Sequence, residues 1–241
     1  MADPVVIVGG TGAIGSALAR RVAAAGGAVH LVGRDPARLA ALAAELGGTH
    51  AVADAMDTDA LGRAVALAGP RVAGLAYCVG SIVLLPLGRA RPEDFVDAFR
   101  LNALGAAVAV AAAGEALRAV PGSGVVLFSS VAARAGFASH TVIATAKAAV
   151  EGLTVSLAAE LAPHTRVNCI APSLTRSGIA SPMTDNATLS RAIAAQHPIP
   201  RLGEPDDAAA MAAFLLSPEA GWITGQVIGV DGGRSTVRTR G

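Results

Sequence analysis

The sequence predicts a doubly wound α/β domain of the Rossmann type, in which helices cover both faces of a parallel seven-stranded sheet. Three observations support this fold: seven apolar runs recur along the chain, helix-length segments separate most of them, and a glycine-rich turn follows the first run. Strands buried on both faces form continuous apolar runs, and right-handed helical crossovers connect parallel strands. We therefore expect a single domain over residues 1–241.

The apolar runs also give the expected strand positions. A flavodoxin-like sheet would show the same alternation, so the motifs between the strands must distinguish the two folds. The predicted strands are residues 4–8, 28–32, 50–53, 75–79, 124–129, 166–170 and 227–230.

The turn after the first strand has the layout that a nucleotide pyrophosphate requires. The chain reads Pro-Val-Val-Ile-Val-Gly-Gly-Thr-Gly-Ala-Ile-Gly over residues 4–15, and a helix-forming stretch over 16–25 follows. Glycine permits a sharp turn and a close approach to the phosphates, and the helix N-terminus directs free N–H groups toward them. The predicted cofactor contacts in this turn are Gly9, Thr11, Gly12, Ile14 and Gly15.

The tip of the second strand favours NADP(H) over NAD(H). An acidic residue there would accept hydrogen bonds from the ribose 2′-hydroxyl, but this position is Gly33, and the neighbouring Arg34 can pair with a 2′-phosphate. Asp35 precedes a proline and a helical pattern, so we expect it to cap that helix. A solvated Arg34 is the alternative. Asp54, after the third strand, is a candidate acceptor for the adenine amino group or a loop cap.

Composition limits the classes of partner. The chain is 53% hydrophobic with only 3% aromatic residues, which predicts an aliphatic core, and its net charge is +1 without a basic block. We expect a small-molecule ligand rather than nucleic acid or a membrane surface. Without a signal sequence or an apolar run of membrane-spanning length, the chain is expected to be cytoplasmic. Cys78 and Cys169 predict buried free thiols and no metal site.

Further motifs follow the glycine turn in a fixed order. Asn102 lies in Leu-Asn-Ala-Leu-Gly within a helical stretch from Pro92 to about residue 119, where asparagine is unfavourable without a reason. Ser130 ends Val-Val-Leu-Phe-Ser-Ser, Lys147 lies in an apolar stretch, and Val-Asp-Gly-Gly stands at 230–233. In order and spacing these motifs resemble the short-chain dehydrogenase/reductase family over essentially the full length of the chain.

The resemblance implies a role for each matching residue. Ser130 and Asn102 would polarise a substrate carbonyl, and Lys147 would hold the cofactor ribose. Gly80 and Thr175 would lie near the cofactor. A lysine among apolar residues is costly unless it meets an anion or hydroxyl groups, which supports this role for Lys147.

The chain departs from the family pattern at its proton donor. The family tyrosine lies thirteen positions after the serine and four before the lysine, and both counts reach Ile143. Two lesser departures are Tyr-Cys-Val-Gly at 77–80, where Asn-Asn-Ala-Gly is usual, and Pro-Ser at 172–173, where Pro-Gly is usual. Tyr77 is the only tyrosine, but it belongs to another strand, so we do not expect it to replace the missing acid.

His140 is the candidate replacement acid. Residues 140, 143 and 147 share one face if their helix begins early enough, and histidine titrates near neutral pH. A histidine that only makes local hydrogen bonds in a loop is the alternative.

A long segment beyond the sixth strand is the expected substrate lid. Residues 173–203 lie past the carboxyl end of that strand, where α/β proteins bind ligands. The few charges of this lid suit a moderately apolar carbonyl compound, while Arg176 and Arg191 leave an acidic substrate open.

Three functional hypotheses follow. The first is an NADP(H)-dependent oxidoreductase that interconverts a carbonyl compound and its alcohol with a proton donor other than tyrosine. The second is a catalytically degenerate NADP(H)-binding homologue that acts as a sensor or partner subunit, and the third is non-redox elimination on the same scaffold. The family resemblance also implies a homodimer or homotetramer, with the apolar face of 142–161 as one candidate contact.

Overall fold

A computed structural model of the chain describes residues 2–238. Seven strands form one sheet in the order β3-β2-β1-β4-β5-β6-β7, and each neighbouring pair is parallel. This confirms the predicted parallel sheet. The strands are β1 (Val5–Val8), β2 (Val29–Gly33), β3 (Thr49–Val52), β4 (Gly74–Tyr77), β5 (Ser123–Phe128), β6 (Thr165–Pro172) and β7 (Val227–Val230).

Helices connect the strands and continue beyond the sixth. The fourth helix, Pro92–Phe99, and the fifth, Gly105–Arg118, are joined without a break by a π-helical turn. This turn, Arg100–Leu104, contains Asn102. The helices are α1 (Ala13–Ala24), α2 (Pro36–Leu46), α3 (Thr58–Ala66), α4 (Pro92–Phe99), α5 (Gly105–Arg118), α6 (Thr141–Leu161), α7 (Ser181–Thr184), α8 (Ala187–Ala194) and α9 (Pro205–Leu216).

Alternate strand residues divide the core between the two faces of the sheet. Val6 and Val8 of β1 pack with the buried residues of α3, α5 and α6. Val5 and Ile7 pack with those of α1, α2 and α9 on the opposite face. Because side chains alternate across a strand, one apolar run supplies both cores, as the sequence predicts.

The strand order places a ligand crevice beside β1. The chain passes from β1 to β2 on one side, whereas β4 pairs with β1 on the other. At such a switch point the connecting helices diverge, and ligands bind beyond the carboxyl ends of the strands. The glycine turn after β1 and the segment 78–80 after β4 therefore meet at one edge of the sheet.

The two long apolar helical stretches qualify as membrane spans by length and composition. Pro92–Arg118 has a mean hydropathy of 1.5 and Thr141–Leu161 one of 1.4, although Arg100 and Lys147 prevent either from being an uninterrupted apolar run. Buried helices of an alanine-rich fold pass the same test. Val110 and Leu117 of the first stretch, and Val150 of the second, are buried in the core against the sheet.

Candidate active site

The glycine turn is shaped by contacts that exclude side chains. Gly9 has φ +80°, a conformation that favours glycine, and a Cβ there would lie 3.0 Å from the carbonyl carbon of Cys78. A Cβ on Gly15 would overlap the carbonyl oxygen of Gly9, so the first turn of α1 packs directly on the loop. Gly12 is the N-cap of α1 and makes no side-chain cap. The first N–H groups of α1 therefore face the open edge of the sheet, which fits a phosphate ligand.

Two arginines stand at the expected adenosine end of the crevice. The Arg34 side chain is 78% exposed, and its nearest acidic partner is Asp54 at 4.0 Å. Arg38, which the sequence analysis did not select, donates from Nη2 to the carbonyl oxygen of Thr11 at 2.7 Å. Asp35 accepts from the Arg38 backbone N–H, which confirms its role as the N-cap of α2. Gly33 leaves ordinary van der Waals space beside Leu39 and the Thr11 hydroxyl.

Asp54 is held as a loop cap. Its Oδ1 accepts from the backbone N–H of Met56 at 2.9 Å. That bond fits the alternative role considered for this residue, and its second carboxylate oxygen faces Arg34.

Asn102 is buried in the π-helical turn. Its Nδ2 donates to the Ala98 carbonyl oxygen at 2.8 Å and to Ser81 Oγ at 3.1 Å. Its Oδ1 is buried without a partner among the described residues. Such an atom costs free energy unless a ligand or water satisfies it, so the Asn102 amide is only half satisfied by the protein itself.

Lys147 reaches the same space from α6. The residue is 7% exposed, and its Nζ donates to the Phe128 carbonyl oxygen at 2.9 Å. A Cβ on Gly80 would lie 3.0 Å from Lys147 Nζ and 3.1 Å from Asn102 Oδ1, so the ammonium and the amide oxygen border one small space. Burial lowers the pKa of Lys147 to about 8. An ammonium with unused donors beside a free acceptor suits the hydroxyl groups of a ribose.

The two serines after β5 have different tasks. Ser129 Oγ donates within the protein, to the Lys147 carbonyl oxygen at 3.1 Å and to Glu151 Oε1 at 3.0 Å. Ser130 Oγ accepts from the Ala132 backbone N–H at 3.2 Å, which leaves its own O–H available. Ser130 therefore caps a short turn and can still donate to a ligand.

A cavity of about 290 Å³, which we call the central cavity, lies beside Lys147 and Ser130, while Asn102 is not among the residues that line it. Ser130, His140, Ile143 and Lys147 all line it. His140 is the N-cap residue of α6, and its Nδ1 lies 2.8 Å from the Ala138 carbonyl oxygen. Because a carbonyl accepts, Nδ1 carries a proton and Nε2 is the nitrogen free for acid–base work. His140, Ile143 and Lys147 therefore face the same cavity, as predicted, while the Nδ1 atom of His140 makes a local hydrogen bond.

Tyr77 takes no part in this cavity. It is buried in the core, and its phenol donates to the Leu101 carbonyl oxygen at 2.7 Å. Burial raises its pKa, which makes ionisation harder still. Cys78, by contrast, lines the cavity and is partly exposed as a residue, although its thiol is buried enough to raise its pKa to about 12, and Cys169 is buried in the core.

Several residues of the predicted lid line the central cavity, but the two lid arginines do not. Thr175, Ile179, Met183 and Ile193 line the central cavity. Arg176 is instead ion-paired with Glu204. Arg191 is exposed at the end of α8 and does not line the cavity.

One cavity residue was missed by the sequence analysis. Arg234 follows β7 and lines the central cavity, with its guanidinium carbon 4.7 Å from the centroid of the Phe137 ring. The sequence signal was an arginine directly after the Val-Asp-Gly-Gly motif. Arg234 is far along the chain from Phe137 and α6, so the sequence alone does not indicate this contact.

Comparison with known proteins identifies the scaffold. A family model described as enoyl-(acyl carrier protein) reductase matches residues 9–235. The short-chain reductase protein NovJ of Streptomyces niveus is 37% identical, and the match covers 96% of this chain and 94% of that protein. The chain belongs to the short-chain dehydrogenase/reductase family.

Solved structures of the family agree with this assignment. A short-chain dehydrogenase/reductase from Mycobacterium ulcerans superposes with a TM-score of 0.90 at 34% identity, covering 98% of this chain and 90% of that one. A gluconate 5-dehydrogenase from Burkholderia cenocepacia, solved with NADP and tartrate, gives 0.90 at 25% identity over 98% of this chain and 96% of that one. The family binds NAD(P), and this member is a short-chain oxidoreductase.

Proposed function

We propose that the protein is an NADP(H)-dependent oxidoreductase that interconverts a carbonyl compound and its alcohol, with His140 as the proton donor. One observation carries this proposal: His140, Ser130 and Lys147 line the same cavity, while Ile143 occupies the place of the family tyrosine. Ile143 is only 4% exposed and offers no proton. His140 is then the titratable group on that face with a free ring nitrogen.

The residues divide the chemistry as follows. A nicotinamide nucleotide held by the glycine turn, Lys147 and Asn102 would supply the hydride chemistry of the reaction. Ser130 Oγ donates to the substrate oxygen and polarises the carbonyl. His140, as an imidazolium protonated on both ring nitrogens, gives its Nε2 proton to the oxygen as the alcohol forms, and as a neutral ring with Nδ1–H it accepts a proton at Nε2 in the reverse direction. Lys147 and Asn102 hold ribose hydroxyls beside Gly80.

The preference for NADP(H) rests on the two arginines after β2. Arg34 is 78% exposed and its carboxylate partner, Asp54, lies 4.0 Å away, while Arg38 donates to the Thr11 carbonyl oxygen in the glycine turn. Their charges favour a 2′-phosphate, and no acidic residue stands at Gly33 to repel it. The NADP bound to the Burkholderia cenocepacia relative is consistent with this preference.

A self-association through the long helices is part of the proposal. Val96, Phe99 and Leu104 of the α4–α5 stretch are 37–54% exposed, and Val155 of α6 is 55% exposed. Exposed apolar residues on neighbouring helices suit a homodimer or homotetramer. A monomeric mass in sedimentation at micromolar concentration would contradict this part.

A catalytically degenerate NADP(H)-binding homologue is the second candidate, because Ile143 occupies the position of the family's proton donor. The deciding experiment measures NADPH and NADH binding by fluorescence, and then NADPH oxidation with a panel of ketones and aldehydes. We expect turnover by the wild type, a loss of at least about 100-fold in His140→Ala, and no change in His164→Ala. His164 is exposed and lies outside the cavity.

Two results would contradict the proposal. Wild-type turnover that His140→Ala leaves intact would exclude His140 as the acid. NADPH binding without turnover in the wild type, with turnover appearing in Ile143→Tyr, would establish the degenerate homologue.

A further inference from the structure

Basic side chains line the central cavity. Three basic side chains line it, Lys147, His140 and Arg234, and none of its lining residues within 2–238 is Asp or Glu. Lys147 and His140 have tasks in the proposed reaction. Arg234 has none, and its guanidinium lies over the ring of Phe137, which also lines the cavity.

Arg234 is fixed by neutral partners. Its Nη2 donates to Gln196 Oε1 at 2.6 Å and its Nη1 to Ser173 Oγ at 3.3 Å, and its guanidinium stacks on Phe137. Cation–π stacking holds such a group without neutralising its charge. No carboxylate of the described residues forms an ion pair with it.

A hydrogen-bond relay orients the serine that holds Arg234. His197 Nδ1 lies 2.9 Å from the Ile193 carbonyl oxygen, so Nδ1 is the donor and Nε2 accepts from the Ser173 hydroxyl at 2.8 Å. Ser173 Oγ can then accept from Arg234. The serine that replaces the usual glycine at this position therefore serves to place the guanidinium.

The Arg234 guanidinium has N–H groups that no described residue accepts from. Of its five N–H groups, two are used by Ser173 and Gln196, which leaves three without a partner in the described structure. A planar cation with adjacent free donors is the group that binds a carboxylate in two places. One guanidinium also matches the single charge of a carboxylate better than the double charge of a phosphate.

We propose that Arg234 binds a carboxylate of the substrate, which makes the substrate an oxo or hydroxy carboxylic acid. The cavity lining also includes the apolar side chains of Ile82, Leu84, Ile179 and Met183, so the carbon chain of the substrate is predominantly hydrocarbon. This inference deepens the proposed function and rests on it for the position of the reacting carbon. The carboxylate site itself rests on Arg234 alone.

The test compares ligands that differ only in charge. Hexanoate and hexanamide are titrated by calorimetry into the full chain, with and without NADP⁺. We expect the wild type to bind hexanoate at least about ten-fold more tightly, since a charge-assisted bidentate pair exceeds a neutral one by about 1.4 kcal/mol or more. Arg234→Gln should abolish that ratio, Arg234→Lys should retain part of it, and the control Arg191→Gln should leave it unchanged.

A kinetic comparison places the site relative to the reaction. Wild-type kcat/KM for 5-oxohexanoate, in which a carboxylate replaces the terminal methyl group of hexan-2-one, should exceed that for hexan-2-one, and Arg234→Gln should remove the difference mainly through KM. Normal NADP⁺ binding by Arg234→Gln shows that this variant is folded.

Three results would overturn the inference: equal affinity of the wild type for the acid and the amide, an acid preference that survives Arg234→Gln, or tighter binding of an alkyl phosphate than of hexanoate. The proposed function can fail separately. A protein that binds no nicotinamide nucleotide but prefers hexanoate through Arg234 would retain the carboxylate site and lose the reaction.

Discussion

The phenol oxygen of Tyr77 occupies the space that a side chain at Gly105 would need. A Cβ on Gly105 would overlap that oxygen and lie 3.1 Å from the ring carbon that bears it. The phenol in turn donates to the Leu101 carbonyl oxygen inside the π-helical turn. The only tyrosine of this chain therefore positions the turn that carries Asn102, instead of exchanging protons with a substrate.

Gly105→Ala is expected to destabilise the fold by about 1–3 kcal/mol, because the new methyl group must displace a buried tyrosine. Urea unfolding followed by circular dichroism measures this change. Gly114→Ala in the same helix meets open space and should stabilise by about 0.5–1 kcal/mol. Equal effects of the two substitutions would show that Tyr77 does not pack on Gly105.

The buried Lys147 should make stability depend on pH in the alkaline range. Its pKa is lowered to about 8 by burial, so between pH 8 and its ordinary value of 10.5 the unfolded chain binds more protons than the folded one. Stability from this residue therefore rises with pH across that window. Relative to Lys147→Met, the wild type should gain about 3 kcal/mol of unfolding free energy.

The measurement is the difference in unfolding free energy between the wild type and Lys147→Met as a function of pH. Burial raises the pKa of Cys78 and of Cys169 to about 12, so both thiols contribute stability that is lost as the pH rises above 9. The Cys78 loss is common to wild type and Lys147→Met and cancels in the difference, whereas the Lys147 ammonium lowers the Cys169 pKa, so the Cys169 loss is read together with that of Lys147. A difference that stays flat from pH 8 to 10.5 would show that Lys147 titrates normally.

Gly33→Asp should shift the cofactor preference toward NADH. A Cβ at Gly33 would lie 3.6 Å from its nearest neighbours, which is ordinary contact, so the side chain fits. The new carboxylate repels a 2′-phosphate and accepts from a ribose 2′-hydroxyl, and NADPH affinity should fall at least about ten-fold. Gly33→Asn, of similar size without the charge, is the control. A similar NADPH loss in both variants would assign the effect to size rather than charge.

Gly80→Ala should impair the site with little effect on the fold. The methyl group would press on Lys147 Nζ and Asn102 Oδ1, which are side-chain ends that can shift at small cost. Affinity for NADPH should fall about ten-fold or more, as measured by fluorescence titration, with thermal stability nearly unchanged. Gly136→Ala meets nothing within 4 Å and should leave binding intact. Undiminished binding by Gly80→Ala would place the ribose elsewhere.

Local sequence determined the scaffold and part of the site. Apolar runs set the strands because a sheet buried on both faces requires them, and the glycines of residues 9–15 set the phosphate loop because no side chain fits there. Asp35 and its following proline specified a helix start through contacts within four residues. The serine, lysine and isoleucine positions followed from the spacing of the motifs that resemble the family.

Only the tertiary structure decided which distant groups share the cavity. Arg234 and Phe137 are far apart in the chain, and their stacking depends on how the segment after β7 folds back toward α6. The same holds for the Tyr77 bond to Leu101 and for the lid arginines, one of which is neutralised by Glu204. Such contacts join separate elements, and no periodicity or local motif encodes the distance between them.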